Sequence, residues 1–206
     1  VFSLVGFLVA MLVGLTGGAI IISTAICCSP LALLIDTNVA KSLKQDLAAA
    51  TTGAQRVFLR RPDAESIGYV VFYGATIFVL WKVFSRAVMQ DDSGISTGLL
   101  NNFGDLPFHL SVITSFAYGN NYPPEDPTYA GVSFTYPFLS DFASAILVRC
   151  GASLRDATFI VSFILAVAFV GLLHRWALVI LRAKLAANRS ARRKLIWPDV
   201  VFSMEG

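Results

Sequence analysis

Apolar positions in this chain are gathered into long runs, where an ordinary soluble helix would spread them along one face and a strand would alternate them. The first run, Val1 to Ile35, has no charged residue before Asp36. The second, Ile67 to Phe84, has none before Lys82; Tyr69, Tyr73 and Trp81 on it suit the aromatic belts of a membrane interface. The third, Ala157 to Leu181, is interrupted only by His174 and Arg175 near its far end, where a long side chain can reach the headgroups. Roughly 20 apolar residues carry a helix across about 30 Å of hydrocarbon. Three transmembrane helices are therefore expected, over 1–35, 67–88 and 157–183.

Between these runs the pattern changes. The linker 36–66 contains an Ala-, Lys- and Gln-rich stretch, Val39 to Ala54, which predicts a short surface helix capped by Asp36 or Asn38. After the second run, Gln90 to Gly104 is rich in Asp, Ser, Gly and Asn and reads as irregular. Gly104-Asp105-Leu106-Pro107 is a helix-start signal, with Asp105 able to cap and Pro107 tolerated in the first turn. It predicts a helix over 105–118 with an apolar stripe of Phe108, Val112, Ile113 and Phe116. The Pro- and aromatic-rich segment Asn121 to Tyr136 is expected to be an ordered loop. A second helix over 137–150 follows, its stripe of Phe138, Leu139, Phe142, Ile146 and Leu147 broken by Asp141, with Gly151 as stop signal. The expected class is an all-α membrane protein with about three transmembrane helices and two short membrane-parallel helices in the loop 89–156.

Composition agrees with that class. The 206 residues are 56% hydrophobic and 14% charged, against about 45 to 50% and 25% for a soluble domain. The run 1–35 begins with Val and lacks a basic leader or a small-residue cleavage site, so the chain is expected to start inside a longer protein. Charge sets an orientation. Lys41, Lys44, Arg56, Arg60 and Arg61 mark the linker 36–66 as cytoplasmic, and Arg182, Lys184, Arg189, Arg192, Arg193 and Lys194 do the same for the tail 184–206. The acidic loop 89–156 then belongs on the extracytosolic side. The net charge of +3 is a topology signal, and nucleic acid is not an expected partner. Cys27, Cys28 and Cys150 show neither a disulfide nor a metal-site spacing.

Candidate chemistry is concentrated in that loop. Asp105 and His109 are four residues apart and would share one helix face, which suits a carboxylate base working beside an imidazole. They are the candidate catalytic pair. Asn102, Glu125, Tyr136, Asp141, Arg149 and Arg155 are the candidate substrate-binding residues, and no metal ligand is assigned.

The run F-G-D-L-P-F-H-L, followed by S-F-A-Y-G-N-N-Y-P-P-E and A-G-V-S-F-T-Y-P-F-L-S-D-F, resembles a group of bacterial polytopic membrane proteins similar to glycosyltransferases of the GT-C superfamily. The resemblance covers about Asp91 to Ala183 and is sharpest from Asn101 to Phe142. It implies transfer of a sugar from a polyprenyl-phosphate donor to an acceptor on the extracytosolic face of the bacterial cytoplasmic (inner) membrane, by a multi-pass protein of which this is the N-terminal part. Asp105 matches the acidic residue that the superfamily carries in its first large outer loop, with His109 one turn further on. Some members also bind a divalent cation, for which Asp91, Asp92 or Glu125 would supply oxygen ligands. The expected partners are the lipid bilayer, the lipid-linked sugar, and further spans or subunits. Basic residues that hold the donor phosphate on later loops of the superfamily are missing here, which leaves Arg149 and Arg155 for that task.

Two other readings stand beside this one. A non-catalytic membrane subunit would bind a partner through Tyr122, Tyr129, Phe134 and Tyr136. A transporter fragment would show ionisable residues or Gly and Pro breaks in the middle of its spans, whereas Gly14, Gly17 and Gly18 offer a close-packing site in the first span and bring no charge.

Overall fold

The computed structural model describes residues 1–59 and 64–196, with side chains over 1–48, 51 and 67–181. Among the described residues its regular structure is helical apart from one small hairpin and an isolated bridge between Glu125 and Ser133. Three stretches are long and apolar enough to cross a membrane: Gly17–Ile35, Ile67–Ala87 and Leu154–Leu181.

The first apolar run departs from the expected single span. It forms α1 (Phe2–Val13), α2 (Gly17–Cys28) and a 3₁₀ segment, Ser29–Ile35. The break lies at Gly14, whose φ of 70° with ψ of 171° is a backbone conformation reserved in practice for glycine. Thr16 then restarts the helix, its hydroxyl accepting from the Ala19 amide at 3.2 Å. Hydropathy is blind to this break, because Gly14, Leu15 and Thr16 interrupt the backbone without adding charge. Gly17 meets no neighbour and does not serve as a packing site. Close packing uses Gly6 instead, where an added Cβ would lie 3.2 Å from Ile146 Cδ1.

The linker helix α3 (Thr37–Leu59) starts from Asp36, whose carboxylate accepts from the Asn38 amide at 2.8 Å. The side chains of Arg56, Arg60 and Arg61, the basic side chains from Arg182 onward, and residues 197–206 lie outside those described. Helix α4 (Ala64–Ala87) carries the second apolar stretch. The segment after it, expected to be irregular, forms a hairpin of β1 (Met89–Asp91) and β2 (Gly94–Ser96), with Met89 opposite Ser96 and Asp91 opposite Gly94. The Asp91 carboxylate accepts from the Ser93 amide at 2.8 Å, and Gly94 takes a φ of 128° that closes the turn.

Helices α5 (Asp105–Ala117) and α6 (Leu139–Arg149) follow. Their apolar stripes face one another and α1. Val112, Ile113 and Phe116 of α5 are fully buried with Phe142, Ala145 and Ile146 of α6 and Ala10 of α1. Phe7 of α1 sets its ring edge-on to Phe116, Phe138 and Phe142 at centroid distances of 6.5, 4.8 and 5.6 Å. Burying a Phe contributes about 1.5 to 3 kcal/mol, and an aromatic pair roughly 0.5 to 1.5 more, so this cluster fixes the pairing of α5 with α6. A second cluster, Ala87, Val88 and Leu106 with Phe84, Ile95 and Leu99, ties the end of α4 to the start of α5.

Helix α7 (Leu154–Ile196) contains the third apolar stretch. By compactness the chain divides into Val1–Ile164 and Leu165–Gly206; the described part of the second unit is helical to Ile196.

Candidate functional site

Packing Phe116 against Phe142 leaves the polar residues at one edge of the α5–α6 pair facing each other. His109 of α5 and Asp141 of α6 meet there: His109 Nδ1 lies 2.9 Å from Asp141 Oδ2 and 3.1 Å from Oδ1. The Asp141 side chain is 9% exposed and that of His109 30%. Asp141 thus breaks the α6 stripe because a partner stands opposite it on another helix. Burial pushes its carboxyl above the usual carboxylate range, and the hydrogen bond from His109 opposes that rise. When Asp141 is ionised it accepts the Nδ1 proton, which leaves Nε2 of the imidazole as the basic nitrogen. Tyr136 packs edge-on against His109, ring centroids 5.8 Å apart, and further restrains the imidazole.

The pair opens on a cavity of about 300 Å³ inside the first unit. Its polar lining includes His109, Asp141, Ser140 and Ser144, with Asn101 and Asn102 of the 3₁₀ segment Leu100–Asn102. The rest of the lining comes from the end of α4 and Val88, and from the first turns of α7, with Thr158, Val161 and Ser162. Asn102 is held by a hydrogen bond from its Nδ2 to the Ala87 carbonyl at 3.1 Å. Among the described residues, no Lys or Arg lines the cavity.

Of the expected site residues, the structure brings together His109, Asp141 and Asn102, with Tyr136 against the imidazole. Asp105 stands apart. It is exposed, makes no capping hydrogen bond and does not line the cavity; Gly104 occupies the cap position, so Asp105 acts on the helix only as a first-turn negative charge. His109 is paired with a carboxylate 32 residues away in place of the one four residues away. Glu125 is used within its own loop, its carboxylate accepting from the Gly131 amide at 3.3 Å. Arg149 donates through Nε to the Leu15 carbonyl at 3.0 Å, bracing the α1–α2 break. Arg155 donates to the Val88 carbonyl at 3.3 Å and to Asp156 at 2.8 Å. Neither arginine lines the cavity.

For a cation, Asp91 is already committed to Ser93, which holds its carboxyl below the usual range, and among the described residues no three metal-ligating side chains converge. Of the aromatic residues considered for partner binding, Phe134 is buried in the core and Tyr136 packs on His109 and Phe108, while Tyr129 is 71% exposed. The loop is ordered by its own bonds: Asn121 exchanges side-chain hydrogen bonds with the backbone of Glu125 at 2.7 and 2.8 Å.

The cavity residues that the sequence reading omitted are Ser140, Ser144, Thr158, Ser162 and Asn101. Each is a small polar residue at the edge of an apolar stripe or within an apolar run, which is the one signal that marks them. The chain matches no known family, no curated protein and no solved structure.

Proposed function

We propose that this chain carries the catalytic outer segment of a GT-C-like membrane glycosyltransferase, which moves a sugar from a polyprenyl-phosphate donor to an acceptor hydroxyl on the extracytosolic face. The buried His109–Asp141 pair opening on a cavity is the observation that carries this reading. Nε2 of His109 removes the acceptor proton as the acceptor oxygen attacks the anomeric carbon. The bond from that carbon to the phosphate oxygen breaks, and its electron pair leaves with the polyprenyl phosphate. Asp141 orients the imidazole and stabilises the imidazolium that forms. The base expected at Asp105 is reassigned to His109, because Asp105 lies outside the cavity.

The level of the cavity supports the same chemistry. It is lined by the end of one membrane-length stretch, Ile67–Ala87, and by the start of another, Leu154–Leu181, so it falls at a membrane boundary. There α5 and α6 rest along the bilayer surface on the acidic, extracytosolic side, and a donor held in the lipid presents its anomeric carbon at the same depth. Arg86, Arg149 and Arg155 are the cations of the outer segment, none of them lines the cavity, and the donor phosphate is assigned outside it.

The test is sugar transfer from a radiolabelled polyprenyl-phosphate sugar in membranes that contain the protein. His109→Ala and Asp141→Asn are expected to lower the rate by about 10² to 10⁴, the range of general-base catalysis, while Asp105→Asn changes it little. Loss of transfer in Asp105→Asn with normal rates in the other two would return the base to Asp105 and refute the assignment.

A further inference from the structure

Resting on the transfer reading, we infer that the His109 cavity seats an uncharged, hydroxyl-bearing amphiphile, the acceptor of the reaction, and excludes phosphate. Several polar groups of the lining have spent their protons elsewhere. Thr158 spends its hydroxyl proton on the Leu154 carbonyl at 2.8 Å, and Ser144 directs its own to the Ser140 carbonyl at 3.4 Å. Both therefore turn lone pairs toward any ligand. Asn102 commits one Nδ2 hydrogen to the Ala87 carbonyl, which leaves its carbonyl oxygen and one N–H. With the Asp141 carboxylate, Nε2 of His109, the Ser140 and Ser162 hydroxyls and the Asn101 amide added, the lining suits hydroxyl groups, which both donate and accept. A phosphate would meet a buried carboxylate with no Lys or Arg among the described lining residues to compensate, an arrangement that disfavours an anion.

The apolar lining fixes the rest of the ligand. Phe84 and Ala87 of α4, with Val88, Leu99, Leu106 and Val161, add an apolar surface to the same cavity. The space, about 300 Å³, is at the lower limit of roughly 300 to 1,000 Å³ for ligand sites, so it takes a headgroup and the start of a chain. A free sugar would leave the α4 face without an apolar partner; an alkyl glycoside satisfies both parts of the lining.

The probe is octyl β-glucoside below its micelle concentration, with octyl phosphate and glucose as comparators, applied to the full chain in lipid nanodiscs. Diethyl pyrocarbonate acylates an accessible unprotonated imidazole nitrogen, and mass spectrometry of the His109 peptide reads its rate, with the His174 peptide as reference. Octyl glucoside at ten times its dissociation constant is expected to slow His109 acylation roughly tenfold by occupancy, with His174 unchanged and with octyl phosphate and glucose at the same concentration giving no protection. Protection by octyl phosphate, equal protection by glucose, or an absence of protection by the glucoside would each overturn the inference. The two readings fail separately. Glucoside protection in a protein that transfers no sugar removes the transferase and leaves the pocket assignment standing. His109-dependent transfer without glucoside protection removes only the pocket assignment.

Discussion

Replacing Asp141 by Asn separates function from stability at one atom pair. The variant keeps the shape of the side chain and an oxygen to accept from His109 Nδ1, which now lies 2.9 Å from the carboxylate. A hydrogen bond to a charged group contributes about 1.5 to 3 kcal/mol and a neutral one about 0.5 to 1.5, so the loss is on the order of 1 kcal/mol. Relief from burying a carboxylate acts in the opposite direction. The net change is expected within about 1 kcal/mol, or roughly 2 to 4 °C in the unfolding midpoint for a chain of this length. Under the proposed mechanism, by contrast, transfer is expected to fall by about two orders of magnitude or more, because a neutral Asn stabilises no imidazolium.

The pH dependence of this variant has a definite sign. The folded protein holds the Asp141 carboxyl above its ordinary range, so folding favours the protonated form. That contribution is complete below the ordinary carboxylate range and is lost as pH rises through the raised value. The amide introduced by Asp141→Asn does not titrate. The stability of the wild type relative to the variant should therefore decline as pH rises through and above the carboxylate range. Thermal unfolding in detergent, followed by circular dichroism across that range, measures it. A relative gain of the wild type with rising pH would show that the His109 bond outweighs burial. A loss above about 3 kcal/mol at neutral pH, the scale of a buried pair broken outright, would make the pair a structural clamp.

Gly14→Ala is expected to cost about 1 to 3 kcal/mol, the range for a residue forced into a glycine-only conformation, since Gly14 sits at φ 70° and its new methyl would meet Asn120; Gly17→Ala, in open space, should leave the unfolding midpoint near the wild-type value. Burial pushes the Tyr122 phenol well above the usual tyrosine range, so Tyr122→Phe should leave the 295-nm alkaline titration unchanged up to about pH 11. A smaller absorbance step in the variant would contradict that environment. In a Cys27→Ser, Cys28→Ser background, Cys150, which is exposed just after α6, should react with an impermeant maleimide from the extracytosolic side; labelling from the cytoplasmic side alone would invert the proposed topology.

The apolar runs announced the membrane-length helices because length and the lack of charge are local properties, readable without knowing what packs where. The same measure merged α1 with α2. A break made from Gly14 and Thr16 changes the backbone and leaves hydropathy almost untouched, so only its geometry, a positive φ followed by a hydroxyl cap, reveals it. The hairpin at Met89–Ser96 was hidden for a related reason: Asp91, Ser93 and Gly94 are turn residues, and turn residues describe a tight hairpin and an irregular loop equally well.

The site shows where reading by spacing stops. Periodicity could relate Asp105 to His109, since four residues along a helix return to one face, but it is silent on a contact across 32 residues. What did carry information was a misfit: Asp141 interrupts an otherwise apolar stripe on α6. A carboxylate at such a position carries a desolvation cost that only a partner on the facing helix can offset. His109 was the natural partner. It is the single imidazole in the segment 89–156, at the edge of the stripe that α6 must cover. A polar residue that breaks an apolar stripe on each of two helices that must pack together predicts that the two breaks meet. By that rule Asp141, rather than Asp105, is the carboxylate to assign to the imidazole, and the small hydroxyl residues Ser140 and Ser144 beside it mark the wall of the cavity that the pair serves.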